Sequence, residues 1–281
     1  CATSLLSLVS CVDLNLNPLS EGSSKNWYSS KAEIEMSVND FYRTEFFPID
    51  DMLWGDDVTA RNSTSSIQNG TLTAENGTIA NRWQNYYKGI ARALRLLNSM
   101  DRAREVGVSE KDITQYEGEA YFYMGYAYGM LAFHWGDAIL DKTGMTLDEA
   151  YTASRSPKAD VLAYSYECLD KAAERLPLKY SGLQRATRGA AYAFKARIAL
   201  YNGDFAIAAD AAKKCMDLGV YKLHDNYRDL FTASSSEELI FFFRGDVTLK
   251  KYYWAAADVQ NCITRLSGGW GGQKAPSYEL I

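Results

Sequence analysis

Residues 185–223 read RATRGAAYAFKARIALYNGDFAIAADAAKKCMDLGVYKL, two helical periods separated by a break. Thr187 is placed to cap a helix, and Ala190, Phe194, Ile198 and Tyr201 follow at spacings that put them on one face. Asn202-Gly203-Asp204 interrupts the pattern, because Asn and Gly accept the left-handed backbone of a tight reversal. A second stripe runs through Phe205, Ala208, Ala212 and Cys215, and Gly219 ends it. Small residues (Ala196, Ala199, Ala208, Ala209, Ala212) let the two helices approach closely, with Ala196 and Ala208 expected at the contact. The result is a helical hairpin of the tetratricopeptide kind, whose repeat is about 34 residues.

An earlier segment has the same build. Gly118-Glu119-Ala120 followed by YFYMGYAYGMLAFHWGD echoes Gly189-Ala190-Ala191 followed by YAFKARIALYNGD. The Gly-Asp that ends the first helix comes about one turn later than in the second, so the repeat is degenerate. Its offset, close to two repeats, predicts related helices in successive layers of a mainly α superhelix.

With these residues in order, the chain resembles the SusD/RagB family of outer-membrane nutrient-binding lipoproteins. The resemblance is carried by Gly118-Glu119-Ala120, Trp135-Gly136-Asp137, Arg155, Leu176-Pro177 and Arg188-Gly189-Ala190-Ala191. It continues through Lys195-Ala196-Arg197, Leu200-Tyr201, Gly219-x-Tyr221-x-Leu223, Leu230-Phe231 and Glu238-Leu239-Ile240. It implies a cell-surface glycan-binding protein that delivers ligand to a SusC-like TonB-dependent transporter. Members of that family continue past the position equivalent to Ile281, and this chain starts at Cys1 without Met. It is therefore expected to be a fragment, cut at both ends and incomplete at the C-terminus.

The N-terminus agrees with export. Residues 1–10 (CATSLLSLVS) are small and apolar, like the tail of a signal peptide. Leu8-Val9-Ser10-Cys11 fits a bacterial lipobox, which marks Cys11 for lipidation. Residues 11–26 then form a polar, lipidated tether, and 27–281 the helical domain with long irregular loops. No apolar run reaches the roughly 20 residues of a membrane helix, so attachment to the membrane is expected through acyl chains. A net charge of −5 with pI near 5.2 argues against a nucleic-acid partner.

Further elements follow from periodicity and punctuation. One helix is expected from Ser30 to Phe46, ending before Pro48, and a long polar segment over 50–81. A second helix spans 81–105, with Trp83, Tyr86, Tyr87, Ile90, Leu94 and Leu97 on its apolar face and a cluster of arginines on a solvated one. Ser109 caps a third, with Asp112 at the capping-box position and Tyr116, Ala120, Tyr123, Ala127, Met130 and His134 in line. Because its aromatics continue around the other faces, this helix should be buried. Ser156-Pro157 opens a fourth helix as N-cap and first residue, and Pro177 closes it. Its stripe of Val161, Ser165, Cys168 and Ala172 makes Cys168 a buried thiol, as the hairpin stripe makes Cys215; a disulfide between the two stays open until distances are known. Short extended pieces are expected near Tyr221 and at 238–244.

Catalytic chemistry finds little support. The two histidines, His134 and His224, stand apart, and no nucleophile elbow, phosphate loop or zinc motif occurs. Asp13-x-Asn15-x-Asn17 starts like a calcium loop, but Pro18 and Ser24 occupy the positions that need Gly and Glu. Asn62, Asn69 and Asn76 begin glycosylation sequons that read as turn-forming polar sequence. No cofactor, metal or enzymatic activity is expected. What remains is a sugar-binding kit: Trp54 beside Asp56, Asp57 and Arg61, and a second tryptophan, Trp270, between paired glycines. An aromatic face stacks on the C–H side of a sugar ring, while carboxylates and guanidinium forks bond its hydroxyls. The resemblance points to the same two tryptophans. Trp54 equally fits an anchor that ties its loop to the core.

Two functions compete. One is a binding module for oligosaccharide, or in some relatives peptide. The other is a tetratricopeptide scaffold whose groove holds protein or peptide.

Overall fold

A computed structural model describes residues 27–28, 30–48, 55, 58–60, 66–180, 185–230, 236–242 and 274–276. Its helices are α1 (Lys31–Asp40), α2 (Gly77–Leu97), α3 (Met100–Glu105), α4 (Glu110–Trp135), α5 (Leu147–Thr152), α6 (Lys158–Arg175), α7 (Arg188–Asn202), α8 (Phe205–Asp217) and α9 (Tyr227–Leu230). Two three-residue strands, β1 (Val58–Ala60) and β2 (Lys274–Pro276), complete the described elements. The chain is mainly α, as its periodicity implies.

Helix α4 is the axis of the molecule. Every residue from Phe122 to Ala132 is buried, because a helix apolar on all sides has no face to give to water. It packs on α2, α6 and α7. Close approach to α6 depends on Gly125, where a Cβ would lie 2.5 Å from Leu169 Cγ and 3.0 Å from the Ser165 carbonyl. Ser165 Oγ uses that closeness to donate to the Gly125 carbonyl at 2.6 Å. Gly129 makes the matching notch for Ile198 of α7.

The repeat is real and its offset has a simple origin. Helices α4 and α6 pair as one hairpin, α7 and α8 as the next, so the echoing segments are the first helices of successive layers. Two long helices and the α4–α6 connection, which carries α5, stretch the first unit. At the α7–α8 reversal Gly203 takes φ 85° and ψ 7°, a left-handed cap for which glycine carries no Cβ penalty. Thr187 caps α7 by accepting from the Ala190 amide.

Several boundaries differ from expectation. Helix α1 stops at Asp40 and continues as tight turns to Phe46. Phe41, Phe46 and Phe47 are all buried, and one helical face cannot deliver three aromatics at that spacing to the same core. The expected helix over 81–105 starts earlier, at Gly77, where Asn76 accepts from the Thr78 and Ile79 amides. It breaks at Asn98 and Ser99, and Asn98 Nδ2 donates to the Thr143 carbonyl instead. Its arginines are not simply a solvated face: Arg82 is buried, and Arg92 and Arg104 pair with Asp40 and with Asp101 and Glu110.

Ser109 caps α4, but Asp112 departs from the capping box by taking Lys31 Nζ at 2.7 Å. Pro157, not Ser156, is the N-cap of α6, since Ser156 is engaged in a backbone bridge with Ala138. In α8 the buried face is Ala208, Ala211 and Cys215, while Phe205, Ala209 and Ala212 face solvent. Ala196 is half-buried and Tyr201 half-exposed. Cys215 Sγ sits 3.5 Å from the Gly189 carbonyl, and that contact fixes the phase. Cys168 and Cys215 are both free and buried.

Helix α5 has no buried residue and is held by a complete capping box between Thr146 and Glu149. Among the described residues after α8, the pieces near Tyr221 and Glu238 form no ladder; Lys222 N donates to the Glu237 carbonyl at 3.3 Å and His224 N to Glu238 Oε2 at 2.8 Å.

Candidate functional site

The site expectations lie largely outside the described residues: Trp54, Asp56, Asp57, Arg61, Trp270 and the lipidation residue Cys11 all do. What is described is chain next to some of them in sequence. Strands β1 and β2 pair antiparallel, with Val58 opposite Pro276, Thr59 opposite Ala275 and Ala60 opposite Lys274. Residues 58–60, which follow Asp57 in sequence, are therefore joined by backbone to residues 274–276, which begin four positions after Trp270. Sequence reading missed this ladder, because three-residue strands offer too short an alternation to detect.

Gly55, between Trp54 and Asp56, is exposed, and its carbonyl accepts from Gln68 Nε2 at 2.6 Å. Gln68 lies in a closed turn in which Gly70 N donates to the Ile67 carbonyl and Thr71 N to the Ser66 carbonyl. Asn69 Oδ1 accepts from both the Thr71 amide and hydroxyl, so the Asn69 sequon is a turn, as read.

The core beside α4 is aromatic. Phe47 stacks on Tyr126 at 4.7 Å between centroids, and Phe194, Phe122 and Phe241 continue the cluster at 5.2–5.5 Å. At the far end Trp83 meets Trp135 at 5.4 Å, edge to face, and the Arg155 guanidinium lies 5.0 Å over Trp83. Tyr87 packs on Trp83 and donates its hydroxyl to the Ile139 carbonyl; burial pushes its pKa up to about 12. His134 is half-buried between Phe133 and Trp135.

A buried polar network joins α1 and α4 to the connection that enters α7. Glu119 on α4 accepts from Tyr42, Gln115 and Arg185. The Tyr42 hydroxyl in turn accepts from the Ala186 amide, and Arg185 also reaches Asn39. Burial drives the Glu119 pKa above the ordinary carboxylate value, against the pull of Arg185, Tyr42 and Gln115. Burial likewise holds Tyr42 far above the phenolic range, with the Glu119 charge adding to it. Among the described residues no group of three or more His, Cys, Asp or Glu could hold a metal ion, and no helix is long and apolar enough to cross a membrane.

Comparison with known proteins fits this helical fold. A SusD-like family model, described as starch-binding and associating with the outer membrane, matches residues 23–200. SusD-like protein P2 of Formosa agariphila is 24% identical over 252 residues, covering 84% of this chain and 49% of the relative. The chain thus spans about half the length of that curated relative. A SusD-like carbohydrate binding protein from Bacteroides fragilis NCTC 9343 shares the fold with TM-score 0.71 at 21% identity, over 90% of this chain and 53% of that one. A further structure, solved with xylogluco-oligosaccharide, has TM-score 0.58 at 20% identity, over 70% of this chain and 43% of that one.

Proposed function

Because the chain belongs to the SusD-like family of starch-binding proteins that associate with the outer membrane, we propose that it is a non-catalytic, cell-surface glycan-binding lipoprotein. In this reading it is anchored by acyl chains on Cys11 and passes oligosaccharide to a SusC-like TonB-dependent transporter. Trp54 and Trp270 are the stacking platforms, with Asp56, Asp57 and Arg61 bonding hydroxyls.

The observation that supports the reading is the β1–β2 ladder, whose strands begin four residues after Trp54 and four residues after Trp270 in sequence. On this reading two aromatic platforms grip neighbouring sugars of a chain, and each bond to a hydroxyl adds to an orientation already set. The relative solved with xylogluco-oligosaccharide supports a glycan as ligand.

The test is a glycan and peptide array probed with an acyl-free protein extended to its natural C-terminus. Oligosaccharide binding without turnover is expected. Selective binding of peptides, with no glycan retained, would replace this reading with the peptide-scaffold one.

A further inference from the structure

We infer that Asn69 is a self-modification site: its side-chain amide is set to close on the Gly70 backbone nitrogen and deamidate, with Thr71 activating it. The chain holds three Asn-Gly pairs, Asn69-Gly70, Asn76-Gly77 and Asn202-Gly203. In each, a glycine without Cβ leaves the attacking nitrogen open to close approach. The pairs share that sequence feature, so their folded surroundings decide among them. Asn69 and Gly70 are exposed, and a Cβ at Gly70 would meet nothing within 4 Å. Asn69 Oδ1 accepts from the Thr71 hydroxyl at 2.7 Å and from the Thr71 amide at 3.2 Å. Those bonds span Gly70, and so lay Asn69 Cγ along the backbone that carries the Gly70 nitrogen.

The step is an intramolecular acyl transfer. The Gly70 nitrogen bonds to Asn69 Cγ and gives up its proton to solvent. The Cγ–Nδ2 bond breaks, and Nδ2 takes up a proton and leaves as ammonia. A water then opens the cyclic imide at either carbonyl, which gives Asp or isoAsp at position 69. During the attack negative charge develops on Oδ1, and two donors already aimed at that atom stabilise it as an oxyanion hole does. Holding the amide beside its nucleophile removes part of the ordering cost. The Gly70 nitrogen also donates to the Ile67 carbonyl at 3.2 Å. That bond must open first, and it lies at the long end of the ordinary range.

The other two pairs are held back by their helices. Asn76 Oδ1 also takes two donors, the Thr78 and Ile79 amides, but those bonds are the N-cap of α2. The Asn76 carbonyl accepts from the Ala80 amide at 3.0 Å. Closing the imide there would turn that carbonyl out of the first turn of a 21-residue helix. Asn202 is the last residue of α7. Its Nδ2, the leaving group, is tied to the Ile198 carbonyl at 2.8 Å, and its Oδ1 is buried with no hydrogen bond among the described residues. Developing charge on that oxygen meets no donor. Modification at Asn69 places a negative charge in the turn. The isoAsp form also lengthens the backbone path that the bonds from Gly70 to Ile67 and from Thr71 to Ser66 close.

The experiment incubates the acyl-free, natural-length protein in mildly alkaline buffer made with heavy-oxygen water, and follows each Asn-Gly peptide by mass spectrometry. Asn69 should convert first, about tenfold faster than Asn76 or Asn202, to a mixture of Asp and isoAsp that carries solvent oxygen. In guanidinium chloride the three rates should converge, because only local sequence then distinguishes them. Thr71→Val removes the hydroxyl and keeps the backbone donor. It should slow conversion of Asn69 about two- to tenfold at an unchanged melting midpoint, while Thr71→Ser should keep most of the wild-type rate. Asn69 converting no faster than Asn76 or Asn202 in the folded protein would overturn the assignment. An undiminished spread of rates in denaturant would overturn its structural cause, and a wild-type rate in Thr71→Val would overturn the role of Thr71.

Discussion

Glu119 and Arg185 lie 66 residues apart in sequence and meet at 3.0 and 3.2 Å, Arg185 Nη1 reaching both carboxylate oxygens. Their side chains are 0% and 11% exposed. A pair this dry adds little net stability over a well-packed apolar pair, but removing one member strands the other. It joins α4 to the connection that enters α7, and through Asn39 and Tyr42 it also holds the end of α1.

Arg185→Ala should therefore cost about 3–5 kcal/mol at neutral pH, read as a lowered melting midpoint. Glu119→Gln should cost less, since Tyr42 can still donate to an amide oxygen. The pH dependence has a definite sign. The folded pKa of Glu119 is raised above its unfolded value, so its protonated form is favoured in the fold. That advantage is full below the unfolded pKa and is lost as pH rises through the folded one. In Arg185→Ala the deficit should shrink as pH falls towards the ordinary carboxylate range; a deficit that grows on acidification would contradict this.

The buried thiols should be silent. Burial pushes Cys168 up to about 12 and raises Cys215 as well. At pH 8 a thiol of pKa about 12 is ionised in roughly one molecule in 10,000, and the thiolate is the reactive form. Iodoacetamide on the native protein should leave both residues unmodified by peptide mapping, and denaturant should expose both.

Gly125→Ala should destabilise by about 1–3 kcal/mol, because its methyl meets Leu169 and the Ser165 backbone and α6 must move out. Lys213→Ala should change stability by no more than about 0.5 kcal/mol, since its pair with Asp217 is exposed on both sides. Equal shifts in thermal melting would refute the packing described for α4 and α6.

Trp54→Ala and Trp270→Ala should each weaken oligosaccharide binding about tenfold or more by calorimetry, with an unchanged circular dichroism melt, a stacked ring contributing about 1–3 kcal/mol. If Trp54 is instead a core anchor, its variant will melt earlier and bind normally after correction for unfolded protein.

Cys11→Ser should shift the full-length protein from the membrane to the soluble fraction. Retention in membranes, in cells lacking the proposed transporter, would rule out acylation of Cys11 as the anchor.

The sequence was most readable where one residue type has one job. Gly203 marks a left-handed cap, Thr187 a helix start, and the all-round aromatics of α4 a buried axis. Many of the residues that carry the family resemblance turn out to be fasteners: Glu119 is bonded to Arg185, Lys195 to Asp170 at 2.6 Å, and Arg155 covers Trp83. They make the fold recognisable and say little about the ligand. Helix α5 was legible but overlooked, since Thr146-x-x-Glu149 is a capping-box signature. The β ladder and the bond from Gln68 to the Gly55 carbonyl were not legible, because each depends on backbone groups that every residue carries. Contacts of that kind leave no pattern in side-chain identity.

The notches in α4 have a consequence for how such a protein can diversify. With Leu169 seated at Gly125 and Ile198 at Gly129, this helix is a spindle with no slack, and changes along it will be rejected before they can alter a ligand. Among the described residues, variation has room where side chains face open space: the turn at 66–71, Gly55, and the excursion bearing α5. A library meant to redirect specificity should draw its diversity from the first two and leave the spindle as it is.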